Sequence, residues 1–272
     1  MKHRKNRIGF TLIELLVVIA IIALLLSVLL PGLKKAKDYS KRVICGARLK
    51  QIGSAMKLYA NAFDEYLPDD HDLGNPANRE RHAYVVYRQN PGYVYLNGKL
   101  KPLRFAYLYE LDYIDVPEIF YCPGNRLQTY MYESYTNPSP WGSLPQAYNA
   151  NTGNEWVRIG YIYYPVEVDT KLDPAWNAPR ELALKYIKLH PSMPYTADII
   201  HNRPTISHQN NKIYSLNGLY ADGHVSFCND QSVFQNLKDP SGKDIWNTLD
   251  AGGFDIRFYD TAYYTVFRAM GP

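Results

Sequence analysis

From Phe10 to Leu30 the chain runs through 21 residues of which only Thr11, Glu14 and Ser27 are polar. As an α-helix this stretch would be roughly 31 Å long, enough to cross a hydrocarbon core of about 30 Å. Past Pro31 the pattern changes. Apolar residues recur at Cys45, Leu49, Ile52, Met56, Tyr59 and Phe63, spaced alternately by four and three, while Lys41, Arg48, Lys50 and Lys57 fall on the other side. That is one face of an amphipathic helix. Proline is tolerated in a helix's first turn, so the helix is expected to restart at Pro31 and to stop near Tyr66-Leu67-Pro68. The pattern therefore predicts one long kinked rod from Phe10 to Phe63, its first half in lipid and its second half packed on a globular body.

From about residue 67 the texture is different. Short strands are expected at Tyr84–Tyr87 and Tyr161–Tyr164 and a short helix at Arg104–Leu111. Gly218 to Phe227 reads as a hairpin turned by Asp222-Gly223. Residues 134–156 are rich in Ser, Pro, Asn and Gly and read as loop. No long amphipathic helix, internal repeat or second domain boundary is apparent. The fold class is α+β: a long N-terminal helix on a mainly antiparallel β body spanning 67–272. The 25 tyrosines are expected on exposed β surface and at subunit contacts, with a sugar-binding platform as the lesser alternative.

Charge removes one class of partner. The net +4 comes from Lys2, Arg4, Lys5 and Arg7; without them 26 bases face 26 acids, and nothing points to nucleic acid. The basic cluster Lys34, Lys35, Lys37, Lys41 and Arg42 reads as a solvated or lipid-headgroup face.

A carboxylate inside an apolar helix is costly, about 2 to 3 kcal/mol or more at bilayer depth, so Glu14 calls for a reason. With the basic leader, Gly9-Phe10-Thr11-Leu12-Ile13-Glu14 resembles the processing site of type IV pilin-like proteins, a class that includes type II secretion pseudopilins. Pro31 is similar to the position where pilin helices often bend on leaving the membrane. The resemblance implies cleavage after Gly9 by a prepilin peptidase and methylation of Phe10. It implies that Glu14 neutralises the N-terminal amine of a neighbouring subunit in a filament, since an acid and an ammonium are tolerable in hydrocarbon when paired. It also implies a single-pass inner-membrane protein with its N-terminus cytoplasmic and its body periplasmic or extracellular. Partners would be the lipid bilayer, an inner-membrane assembly platform and other pilin-like subunits. The expected organisation is a leader at 1–9, a transmembrane helix at 10–30, an amphipathic half at 31–66 and an exported body at 67–272. A secretory signal peptide has a shorter apolar region and a small-residue cleavage site; a plain anchor would not need Glu14.

His208 followed by Ala221-Asp222-Gly223-His224-Val225 is similar to the His…Asp-Gly motif of a pilin-like subgroup. That motif normally has nine residues between His and Asp; thirteen intervene here, so a hairpin insertion near Asn210–Leu216 is required. The segments around Cys45 and Cys122 also resemble this subgroup. In an exported body, three cysteines suggest one disulfide and one spare thiol. Cys45 lies on the apolar stripe and Cys122 precedes a Pro-Gly turn, so a Cys45–Cys122 bond is expected, with Cys228 buried and free. With 76 residues between them, the bond would add about 4 kcal/mol in the chain-entropy account; three reduced cysteines are the alternative.

Asp198, His201, His208, Asp222 and His224 offer oxygen and imidazole donors that suit a divalent cation such as calcium, although no short two-ligand spacing is present and Asp222 has a sufficient role in a turn. No other cofactor is expected. Serine-elbow, zincin, phosphate-loop and zinc-type cysteine motifs are absent from the sequence, and the Asp69-Asp70 pair reads as solvated loop, so the chain does not read as an enzyme. The expectation is a structural subunit of a pilus or pseudopilus; the alternative is a processed envelope protein that binds a ligand without polymerising.

Overall fold

The computed structural model describes residues 11–68, 83–88, 100–136, 140–143, 156–172, 174, 183–210, 212–239, 241–252 and 258–271. The leader, Gly9, Phe10, Asp69-Asp70 and much of the 134–156 loop lie outside them. The chain divides into two compact units, Met1–Ser40 and Lys41–Pro272.

In the first unit, helix α1 (Leu12–Ala62) begins directly after Thr11. Every large apolar side chain from Leu12 to Leu30 is exposed, and the segment is long and apolar enough to cross a membrane. The expected restart at Pro31 is not found. Helix α1 is continuous through Pro31, which costs the helix one backbone hydrogen bond because proline has no N–H.

In the second unit α1 ends at Ala62, ahead of the expected stop. Asp64 and Glu65 take left-handed backbone angles (φ 53° and 65°), and the Glu65 N–H returns to the Ala60 carbonyl at 2.7 Å. That closing turn, not Pro68, ends the helix. Of the expected stripe, Cys45, Leu49, Ile52 and Met56 are buried, while Phe63 is 42% exposed and stacks on Tyr59 at 4.3 Å. The polar side also departs from expectation. Arg48 donates to the carbonyls of Tyr121 (2.6 Å) and Glu118 (3.0 Å) and to Glu118 Oε1 (2.7 Å), so it anchors a loop.

The body carries two antiparallel sheets. In the first, β1 (Val85–Arg88) lies between β2 (Lys101–Pro102) and β3 (Trp156–Arg158). In the second, β4 (Tyr161–Tyr163) pairs β5 (Thr196–Asp198), and β5 pairs β7 (Ile213–Leu219). Strand β7 also pairs β6 (His208–Asn210) and β8 (Val225–Cys228). A β6–β7 hairpin lies where the resemblance to the His…Asp-Gly motif would call for an insertion, and β7–β8 turns at Asp222-Gly223 as expected. The short helix expected at 104–111 is α2 (Ala106–Glu110). Thus the α+β class with antiparallel sheets is observed.

Two further expectations are corrected. An amphipathic helix does recur: after α3 (Ser232–Gln235) and α4 (Ile245–Ala251) comes α5 (Phe258–Met270). Its residues 258, 259, 262, 263, 266, 267 and 270 are buried, a helical repeat disguised by tyrosines. Most of the described tyrosines also do not coat the surface: Tyr87, Tyr135, Tyr161, Tyr164, Tyr195 and Tyr263 are among the largest fully buried side chains. Rings supply the apolar area, and some of the hydroxyls find acceptors, such as Glu110 for Tyr87 (2.6 Å) and the Thr129 carbonyl for Tyr135 (2.6 Å).

Candidate functional site

At the start of α1, Thr11 and Glu14 satisfy each other. Glu14 Oε2 accepts from the Thr11 N–H (2.8 Å) and hydroxyl (2.7 Å), and Thr11 Oγ1 accepts from the Glu14 N–H (3.2 Å). This is a reciprocal capping box, readable in the sequence as Thr-x-x-Glu. The acid that the apolar run makes conspicuous is therefore hydrogen-bonded within its own chain, at the positive end of the helix dipole.

A second constellation lies inside the body. Strand β7 acts as its ruler. Beyond Leu219 the Tyr220 N–H turns to the β8 side, bonding the His224 carbonyl. At Tyr214 that same side is filled by Gln231, which bonds both the N–H and the carbonyl. The opposite edge is left for β5 and β6, which lie along it end to end. Their registers place Ala197 opposite Gly218 and His208 opposite Ser215. Asp198, one residue beyond Ala197, is therefore level with Asn217, two residues from Ser215. Side chains on alternate residues share a face, and Asp198 Oδ2 and His208 Nε2 meet at 3.6 Å.

Two further elements close over this pair. Helix α1 brings Cys45, whose Sγ is 2.7 Å from Asp198 Oδ1 and 3.3 Å from the Tyr161 hydroxyl. The Tyr121-Cys122 segment brings Cys122, with Sγ 3.4 Å from His208 Nε2. This segment is held by Arg48 on one side and by Gly160 on the other, where a Cβ would lie 2.6 Å from the Cys122 nitrogen. Gly124 then passes against the imidazole; a Cβ there would be 2.9 Å from His208 Cε1. The ligating atoms of Cys45, Cys122, Asp198 and His208 all lie within 4.8 Å of one another, and all four residues are buried.

Burial pushes the Asp198 carboxyl up to about 7, and proximity to Cys122 adds to this. Burial opposes charge on His208, but Asp198 and Cys122 outweigh it and raise the imidazole to about 9. Burial also opposes ionisation of Cys122, yet hydrogen bonds from Cys45 and His208 hold it well below the ordinary thiol range. Cys45 is held well above that range, by burial first and then by its neighbours. These directions favour a thiolate at Cys122 beside a charged His208, and a thiol at Cys45 that donates to Asp198. Such a pair is also what a cysteine nucleophile requires, but Cys122 is only 4% exposed.

Residues 4–30 match the family model described as the prokaryotic N-terminal methylation motif. The chain opens with a prepilin-type segment. Over 83 residues it is also 35% identical to a Myxococcus xanthus protein named type IV major pilin protein PilA. The match covers 30% of this chain and 37% of that protein. No solved structure matches.

Beyond that prepilin-type segment, the expected site residues separate. Asp198 and His208 come together, and the two cysteines expected to pair with each other join them as free thiols. Asp222 and His224 stand apart in the exposed β7–β8 turn, where Asp222 Oδ1 accepts from the His224 N–H (2.9 Å) and contacts His224 Nδ1 (2.5 Å). The His224 ring stacks on Tyr220, just ahead of the first β8 residue, Val225. His201 is also elsewhere, with Nδ1 2.8 Å from the Tyr259 hydroxyl. Cys228 is a free thiol but only half-buried.

Proposed function

We propose that this chain is a pilin-like structural subunit, cut after Gly9 by a prepilin peptidase and methylated at Phe10, that assembles into a pilus or secretion pseudopilus. The observation that carries the reading is the prepilin-type motif over residues 4–30, continued by a helix whose large apolar side chains from Leu12 to Leu30 are all uncovered. Such a surface requires a cover: lipid in the stored subunit, the same helix of other subunits in a filament. The N-terminus would then be cytoplasmic, the body would lie outside the inner membrane, and an assembly platform in that membrane would extract the subunit.

The capping box gives Glu14 a role in each state. In the membrane, Thr11 and the helix dipole share its charge, which lowers the cost of storing an acid in lipid. In a filament the carboxylate exchanges part of that cap for the methylated amine of a neighbouring Phe10. The role is structural and not catalytic.

The test begins with the mass of the N-terminal peptide from protein taken from its native membrane; a methylated Phe10 is expected, and an intact Met1 would overturn processing. Replacing Glu14 with Ala should then abolish filament incorporation while leaving the body folded. Wild-type incorporation by the E14A variant would refute the assembly role and leave a surface protein that does not polymerise.

A further inference from the structure

We propose that Cys45, Cys122, Asp198 and His208 form a closed four-ligand site for a zinc-class divalent cation. The site would pin the second half of α1 to the sheet of the body. The donors would be Sγ of both cysteines, Nε2 of His208 and Oδ1 of Asp198.

The donor chemistry selects the ion. Two soft sulfurs, one imidazole and one carboxylate oxygen form a set that suits zinc and does not suit calcium, which takes six to eight oxygens. In a tetrahedral zinc site, ligand atoms are separated by roughly 3.3 to 3.8 Å. Here Cys122 Sγ is 3.4 Å from His208 Nε2, and the four ligating atoms all lie within 4.8 Å of one another. The shorter Cys45 Sγ to Asp198 Oδ1 contact, 2.7 Å, is a hydrogen bond from the thiol; an ion entering between them would displace that proton, because cysteine and histidine bind metal in their deprotonated forms.

The surroundings are arranged as a second layer. Asp198 Oδ2 is already taken by the Asn217 backbone N–H (2.6 Å) and side-chain amide (3.1 Å), which aims Oδ1 at the cluster. The Tyr161 hydroxyl and the Gly124 N–H, 3.4 Å from Cys122 Sγ, face the two sulfurs. Two thiolates and a carboxylate around a divalent ion carry one net negative charge, and these donors are placed to offset it. A Cys45–Cys122 disulfide would use the two sulfurs and take from Asp198 Oδ1 and His208 Nε2 the sulfur partners they have here. A bound ion engages all four groups.

The test uses the full chain, expressed with zinc and purified in detergent under reductant. Expected are about one zinc per chain by elemental mass spectrometry and, in cobalt-grown protein, the intense visible bands of a tetrahedral ion with thiolate-to-cobalt charge transfer. Cys122→Ser and Asp198→Asn should each lower metal content at least about tenfold, whereas Asp222→Asn and Cys228→Ala should retain it. Near-UV circular dichroism establishes which variants are folded. If C122S does not fold, the wild-type measurement decides on its own. Folded wild-type protein that is metal-free would overturn the site, and so would a Cys45–Cys122 disulfide peptide.

Discussion

Replacing Gly160 with Ala tests whether packing, and not side-chain chemistry, sets the position of Cys122. The added methyl carbon would stand 2.6 Å from the Cys122 nitrogen and 3.2 Å from Tyr121 Cα. The first distance is about 0.8 Å short of ordinary van der Waals contact, so one segment must move. Both neighbours are backbone, so no side chain can swing aside. Movement is opposed on both sides: the Gly160 N–H bonds the Phe120 carbonyl at 2.9 Å, and the Gly160 carbonyl accepts from the Ile199 N–H at 3.1 Å. Overpacking of this kind costs about 1 to 3 kcal/mol. For a body of this size, each kcal/mol lowers Tm by about 2 to 4 °C, so a loss of about 2 to 12 °C is expected. The assay is the thermal transition of the full chain in detergent with chelator present, together with the alkylation rate of Cys122 in the folded protein. The rate should rise as the segment lifts from the cluster. Gly32→Ala is the control: nothing lies within 4 Å of a Cβ there, and alanine is the better helix former. An unchanged Tm and an unchanged alkylation rate in G160A would refute the argument that the Tyr121-Cys122 crossing is rigidly wedged.

Arg48→Met should cost about 1 to 3 kcal/mol because the Tyr121 carbonyl loses its donor, while Glu118→Gln should cost under about 1 kcal/mol because that half of the ion pair is solvent-screened; urea unfolding of the two variants separates the carbonyl anchor from the salt bridge. Thr11→Val removes the hydroxyl from the capping box and should weaken the start of α1 by about 1 kcal/mol, read as faster hydrogen exchange over the first turn. His201 is held below its ordinary value of 6.5 by burial and then by Arg158. A histidine with a depressed folded-state pKa binds its proton more readily when unfolded, so its contribution is present above pH 6.5 and lost as pH falls below it. His201→Gln should flatten the acid limb of the Tm–pH curve, and an identical limb would exclude His201 from it.

How legible the fold was depended on how local its cause is. The apolar run, the stripe from Cys45 to Met56 and the Asp222-Gly223 turn each follow from side chains within a few residues of one another, and each is found as read. Helix α5 was equally legible from its spacing, but its tyrosines resemble surface until something covers them. Whether a tyrosine is core or coat depends on what covers its ring, and that cover can lie far along the chain, as with Tyr164, whose ring meets Tyr263 and whose hydroxyl donates to the Asp260 carbonyl (3.2 Å). The end of α1 turned on two left-handed residues, Asp64 and Glu65, neither of them the glycine that usually marks such a turn.

The candidate cluster was legible as residues and not as a set. Cys45, Cys122, Asp198 and His208 each stand out in the sequence, yet the sequence pairs the cysteines with each other and groups the acid and imidazole with His201, Asp222 and His224. Two-residue ligand spacings are visible in a sequence because one turn of chain supplies both ligands. Here each ligand comes from a different element, and what joins Asp198 to His208 is the division of one β7 edge between two strands. Shortening that edge should therefore damage the cluster without touching any of its four members. A deletion of two residues from β7 keeps the side-chain faces but shifts β5 against β6 by about 6.8 Å, which carries the carboxylate away from the imidazole. The readout is Cys122 alkylation in folded protein, expected to rise as its imidazole partner withdraws. A folded deletion variant with an unaltered alkylation rate would show that β7 is not the ruler.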